Sequence, residues 1–172
     1  MPNITELRYE LLTREKHVLY CGKRHYLYGK TIASLQTLSD EPLILTGADE
    51  PDNLTHYRLQ HGLGKRTAAT TPNLEEARRL TGLGLGICLL PKRMTAADVR
   101  RRTLWPLTPD ALGVACDIFA ATNKHAQKRI AAEIFVEELS QKVKQSAPET
   151  SESKVRRMRH TPRTATIDAP SK

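Results

Sequence analysis

Two short stretches of this sequence place small polar groups where an anion could be held. The first is Thr70-Thr71-Pro72-Asn73, which leads into a segment whose apolar residues Leu74, Ala77 and Leu80 recur at helical spacing. Asn73 then stands at the N-cap, with Glu76 three residues on as a variant of the capping box. A loop that enters a helix this way presents unpaired N–H groups and hydroxyls backed by the positive end of the helix dipole. The second stretch is TGADEPDNL, in which Thr46, Gly47 and Ala48 are small enough to let a ligand approach the backbone. It follows an apolar strand candidate, Pro42–Leu45, and ligands of open α/β sheets bind beyond the C-terminal ends of strands. Both stretches also have a plainer reading: Asn73 as a helix cap alone, and the loop at Asp49 and Asp52 as an ordinary strand-to-helix connection.

Covalent and metal chemistry find less support. Cys21, Cys88 and Cys116 are far apart and odd in number, which fits reduced core thiols better than disulfides or a zinc site. The six His are scattered; His56 and His61 fall five apart on one helix candidate, and no second ligand pair joins them. No metal and no cofactor is therefore expected. The glycine run Gly82-Leu83-Gly84-Leu85-Gly86 follows a helix instead of preceding one and lacks a Gly-Lys-Ser/Thr ending, so it is not a phosphate loop. There is no nucleophile elbow, and Ser34, Ser39 and Ser140 fall at ordinary helix positions or ends.

The elements that would carry these loops follow in order. Leu7–Leu12 alternates as a strand; Thr13–Lys16 is a charged step; His17–Cys21 is a second extended segment. A polar loop, Cys21–Lys30, precedes a short helix on Ile32, Leu35 and Leu38. After the strand Pro42–Leu45 come a helix from Asn53 to about His61, closed by Gly62-Leu63-Gly64, and a weak strand at Arg66–Thr71. The glycine run ends the helix that Asn73 begins, Ile87–Leu90 is a short buried strand, and Pro91 stops it. Thr95–Arg102 reads as a charged helical turn and Leu104–Leu107 as a half-buried connector, with Trp105 a packing residue. Asp117–Thr122 is one more buried strand, and residues 124–143 form the longest helix, its apolar face Ile130, Ile134, Phe135, Val136 and Leu139. Strand and helix alternate, which predicts an α/β fold with parallel strands and right-handed crossovers.

Length allows one ordinary domain, and the sparse aromatics, one Trp and two Phe, give no platform for stacking bases. No apolar run reaches a membrane span and no signal peptide opens the chain, so a cytoplasmic protein without a membrane partner is expected. Of the net charge of +8, a tail from Ser146 onward, predicted disordered, carries six Lys or Arg against three acids; the rest is spread over the body without a dense patch. The segment Lys154–Arg163 could bind phosphates electrostatically.

In their order, LLTREKHVLYCGKRHYLYGK, SLQTLSDEPLILTG, YRLQHGLG and NLEEARRLTGLGLGICLLP, followed by a late strand and an amphipathic helix, resemble the effector-binding domain of LysR-type transcriptional regulators. The similarity runs from residue 7 to about 140, and its most specific pieces are Glu75–Pro91 and Leu19–His25. The resemblance implies a fold like the type II periplasmic binding proteins, two α/β subdomains with a small effector in the cleft between them. It implies a crossover strand of the first subdomain at residues 1–14, an essentially complete second subdomain at 15–107, and a return to an only partial first subdomain at 108–145, before the basic tail at 146–172. Thr46, Gly47, Asn53, Leu54, Thr71 and Asn73 match the family's cleft-facing loops, with hydroxyl and backbone hydrogen bonds to an anionic group and Leu54 as apolar cover. It further implies a homo-oligomeric parent that touches DNA through a helix-turn-helix, which does not precede Met1 here, so a fragment is expected. An isolated fragment that pairs with intact regulators, and an enzyme or binding protein on the same fold, stay open as alternatives.

Overall fold

The structure is a computed structural model that describes residues 7–47, 50–123 and 130–146. In chain order its elements are β1 (Leu7–Gly22), β2 (Pro42–Leu45), α1 (Asp52–Gln60), β3 (Arg66–Thr70), α2 (Leu74–Gly82), β4 (Cys88–Pro91), α3 (Lys92–Arg100), β5 (Leu104–Pro106), β6 (Val114–Asn123) and α4 (Ile130–Ser146), with 3-10 turns at Leu35–Leu38 and Asp110–Leu112. Residues 1–127 make one compact unit and residues 128–172 another.

Strand β1 organises the first unit. It runs unbroken for 16 residues, through the charged step where the sequence predicts an interruption. The step survives because β6 lies antiparallel beside it from Leu7↔Asn123 to His17↔Val114, taking up the irregularity as a bulge between Leu11 and Thr13. Arg14 reaches across this ribbon to Asp117 at 2.7 Å. From His17 to Gly22 the strand is buried, with β4 antiparallel on one side and β5 antiparallel on the other. The connector at Leu104–Pro106 is thus a short strand, and Trp105 packs there, its Nε1–H donating to the Lys30 carbonyl at 2.8 Å and its ring against Tyr28.

The expected parallel pairing is present between β2 and β3, and the sheet built on β1 is antiparallel. β2 and β3 are parallel, joined by the crossover helix α1, and a single parallel bridge, Leu43↔Ile87, links β2 toward β4. All pairings of β1 are antiparallel, so the architecture is mixed α/β. Local alternation of strand and helix reports a crossover but not the direction of a strand contributed from the far end of the chain.

Alternation along β1 divides the core in two. Leu19 and Cys21 face one cluster with Leu38, Leu43, Leu54, Ile87 and Leu107; Val18 and Tyr20 face another with Ile44, Ala77, Cys88, Leu90 and Leu104. Helix α2 enters the second cluster through Ala77, and Thr81 beside it is fully buried because its hydroxyl donates to the Ala77 carbonyl at 2.7 Å. Leu74, expected on that stripe, is exposed. At Gly22 a Cβ would sit 2.1 Å from the Thr81 carbonyl oxygen, so only glycine lets α2 approach the strand this closely. The helix expected on Ile32–Leu38 contracts to the 3-10 turn.

Strand β6 is largely exposed instead of buried: Phe119 packs edge-to-face on Tyr9, and both rings reach solvent. In the second unit α4 covers Ile130–Ser146, and its Ile130, Ile134 and Phe135 are exposed, contrary to the apolar face expected of them. Residues 124–129 of that predicted helix, and the tail after Ser146, lie outside the described residues. No helix among the described residues is long and apolar enough to cross a membrane.

Candidate functional site

Because β2 and β3 are parallel, their C-terminal ends deliver two loops to the same edge of the sheet. The pairing continues past the strands through the Thr71 N–H, which donates to the Leu45 carbonyl at 2.9 Å. Thr46 and Gly47 therefore face Thr71 and Pro72: a Cβ on Gly47 would lie 3.7 Å from the Pro72 nitrogen. Gly47 takes a φ of +79°, a left-handed conformation that glycine adopts without strain, and this turns the chain away after β2. Thr46 is 9% exposed, and its hydroxyl has no hydrogen-bond partner among the described residues.

Asn73 caps α2 as its position predicts, its Oδ1 accepting from the backbone N–H of Glu75 at 2.9 Å and of Glu76 at 3.3 Å. The capping box closes differently from the expected variant. Glu76 accepts from the Thr71 hydroxyl, and that hydroxyl accepts from the Asn73 N–H at 3.2 Å, so Thr71 relays between carboxylate and backbone. Thr71 is 4% exposed and both of its roles are filled from within the loop.

The other predicted pair sits on α1. Asn53 turns toward β6, donating through Nδ2 to the Ala115 carbonyl at 2.6 Å and lying 3.4 Å from the Cys116 sulfur. Leu54 is 3% exposed in the core, where it backs the helix from beneath. The loop before α1 is fastened by Glu50, whose carboxylate accepts from the Arg58 guanidinium at 2.6 Å and from the Thr55 hydroxyl at 2.8 Å.

Between the α1 N-terminus and β6 opens a cleft of about 300 Å³ lined by Pro51, Asp52, Asn53, Ala115, Cys116, Asp117 and Phe119. Of the predicted residues only Asn53 lines it. Asp117 is held below the usual carboxylate range by its hydrogen bond from Arg14. Burial raises the Cys116 thiol, with the contact to Asn53 working against the shift. Cys21 and Cys88 are pushed by burial up to about 12, which leaves both as neutral thiols. All three cysteines are free, and no group of three or more His, Cys, Asp or Glu among the described residues is gathered as a metal would need.

Sequence reasoning missed Cys116, Asp117 and Phe119, because their place beside Asn53 follows from a register between distant strands. His25, at the end of the Leu19–His25 piece, has its Nε2 3.5 Å from Glu41, where Tyr26 donates its hydroxyl to the same carboxylate.

A family model described as the LysR substrate binding domain matches residues 2–144. The chain belongs to the LysR substrate-binding domain family. No curated protein matches it in sequence. Among solved structures, this LysR domain is similar to the regulatory domain of CcmR from Synechocystis PCC6803 in complex with 2-PG, at a TM-score of 0.70 and 20% identity over 85% of this chain and 71% of that one. It is similar to the effector binding domain of QuiR in complex with shikimate, at a TM-score of 0.71 and 15% identity over 86% of this chain and 70% of that one. Against the regulatory domain of HypT from Salmonella typhimurium the TM-score is 0.60 at 17% identity, over 78% of this chain. This chain spans 63% of that HypT domain and 46% of full-length HypT, a hypochlorite-specific LysR-type transcriptional regulator. The fold is that of LysR substrate-binding domains, which is like the type II periplasmic binding proteins. The family is one of transcriptional regulators.

Proposed function

We propose that this chain is the effector-sensing part of a LysR-type transcriptional regulator. It takes a small ligand with an anionic or hydroxyl group at the edge where β2, β3, α1 and α2 present their loops, and it senses without catalysing a reaction. The observation that supports this most directly is the convergence of Thr46–Gly47 with Thr71–Asn73, next to a Thr46 hydroxyl that has no hydrogen-bond partner among the described residues. On this reading residues 15–107 correspond to the second subdomain. The Asn53 corner, with its cleft against β6, forms the side of the site toward the first subdomain. Leu54, buried, keeps α1 in place behind it. A ligand that favours one orientation of the subdomains shifts the population toward it, and in a cytoplasmic homo-oligomer that shift re-spaces DNA-binding heads carried outside this chain.

The test is thermal unfolding followed by Trp105 fluorescence with shikimate, 2-PG and inorganic phosphate as probes. A ligand present at 100 times its dissociation constant stabilises by about 2.7 kcal/mol, which raises the midpoint by several degrees. Thr46→Ala should weaken that response at least fivefold while leaving the unliganded midpoint in place. Responses unchanged by Thr46→Ala and Asn53→Ala would show that the ligand sits elsewhere.

A further inference from the structure

The positive charge that looks scattered in the sequence converges in space. Register pairs Gly22 with Leu104, so Lys23 and Arg24 leave β1 beside the segment Arg100–Thr103 that enters β5. The glycine-rich turn after α2 presses on the same corner, since a Cβ on Gly84 would lie 3.0 Å from the Cβ of Arg24. Arg78 joins α2 to α3 through Asp98 at 2.7 Å, and Arg79 stands in the last turn of α2, its carbonyl accepting from the Leu83 N–H where the helix runs into that glycine-rich turn. Lys23, Arg24, Arg79, Arg100, Arg101 and Arg102 are all exposed. None of the six makes an ion pair with a described residue. The nearby carboxylates are already engaged: Glu75 and Asp98 both accept from Arg78, and Asp98 also accepts from the Thr103 hydroxyl.

A second observation concerns Arg102 alone. It is the one described non-glycine residue with positive φ, at 58°, at the end of α3 where glycine is the ordinary choice. Its carbonyl is held by the Tyr28 hydroxyl at 2.7 Å and its N–H donates to the Val99 carbonyl at 3.1 Å. A residue with a long cationic side chain is thus fixed in a strained backbone conformation at the surface, next to two further arginines.

We infer that this face binds the phosphate backbone of duplex DNA, so that the sensing domain contributes its own sequence-independent contact to DNA. Arginine suits the task because its planar guanidinium pairs with two phosphate oxygens at once. Five of the six cations are arginines. The inference does not depend on the effector site, which is built from Thr46–Gly47, Asn53 and Thr71–Asn73 and uses no residue of the patch.

The experiment measures binding of the full chain to a fluorescent random-sequence duplex of about 20 base pairs over a salt series. Two triple variants remove the same charge: Arg100→Gln/Arg101→Gln/Arg102→Gln in the patch, and Arg156→Gln/Arg157→Gln/Arg159→Gln in the tail. Because three arginines no longer neutralise phosphates, the patch variant should flatten the slope of log affinity against log salt by about 2 to 3 and weaken binding at low salt by about tenfold or more. Circular dichroism of that variant should match the parent chain. The inference fails if the tail variant takes the whole loss, if the two variants lose equally, as net charge alone would dictate, or if polyglutamate binds the chain as tightly as the duplex, which would mark the face as a dock for an acidic protein.

Discussion

Removing one partner of the Glu50–Arg58 pair will cost as much as removing both. The Glu50 side chain is 6% exposed and that of Arg58 14%, with Arg58 Nε and Nη2 at 2.9 and 2.6 Å from the same carboxylate oxygen. The pair ties the loop that follows Gly47 to the body of α1, so it also sets where the candidate site stands. Glu50→Ala leaves a guanidinium buried without its counter-charge, and Arg58→Ala leaves a carboxylate with only the Thr55 hydroxyl. Each should lose about 3–5 kcal/mol, a large part of the roughly 5–15 kcal/mol that holds a domain folded. The double variant should lose no more than either single one, giving a coupling of about 3 kcal/mol or more, at the upper end of what neighbouring groups show. Urea unfolding followed by Trp105, the single tryptophan, reads the unit that contains the pair. With a slope of about 1–2 kcal/mol per molar urea, each single variant should move the midpoint by roughly 1.5–5 M. Singles within about 0.5 M of the parent, or a double variant whose loss is the sum of the two, would refute the reasoning, because both outcomes describe an ion pair that behaves as a solvated one.

Three further outcomes rest on particular residues. Asn73→Ala should lower stability by about 1 kcal/mol and Asn73→Gly by only a few tenths, since glycine still suits an N-cap while alanine loses the two hydrogen bonds to Glu75 and Glu76 without compensation; urea midpoints separate them. Gly22→Ala should cost about 3 kcal/mol, at the upper end for overpacking, as its Cβ meets backbone oxygen at 2.1 Å; a midpoint near the parent's would mean α2 can retreat freely. Burial lowers the pKa of His17, and it lowers that of His25 against the opposing pull of Glu41, so the 3.5 Å contact to Glu41 does not keep the imidazole charged near neutrality. The unfolded chain then binds protons near about 6.5 that the folded chain refuses. Stability is full above that value and is lost as pH falls from it toward the folded pKa values, by up to about 1.4 kcal/mol per pH unit for each histidine. Thermal midpoints from about pH 7.5 down to about pH 5 check this, and His17→Gln should make the fall shallower.

What could be read from the sequence was whatever is decided within a few residues. The Asn73 cap lies two and three residues from its donors, and within the β2–α1–β3 unit Gly47 and Gly62–Gly64 mark the two connections that flank α1, so both were legible. The ordered LysR motifs carried the fold itself. The neighbours of Asn53 were not legible, because Cys116 and Asp117 come to it only through the register of β1 on β6. The burial of β6 was misread for a related reason: Ile118, Phe119 and Ala120 look like a buried run, but the ribbon they share with Tyr9 and Leu11 has no described layer packed over those rings. The arginine face was hidden the same way, its members dispersed along the chain and joined by strand pairing and the Arg78–Asp98 link.

The long strand β1 also governs the order in which this domain can assemble. Its partner residues on β6 are about a hundred positions further along, from Leu7↔Asn123 to His17↔Val114. At ribosomal speeds of about 5–20 residues per second, the N-terminal strand waits roughly 5–20 s before its partner has been made. Through that interval Tyr9 and Leu11 sit on an edge whose amides and carbonyls are unmatched, while the more local β2–β3 pair can already close. Late zippering of β6 onto β1 is therefore the step at which a nascent chain is most open to pairing with a neighbour, and slowing translation between β5 and β6 should lower the yield of soluble protein more than an equal pause placed after Asn123.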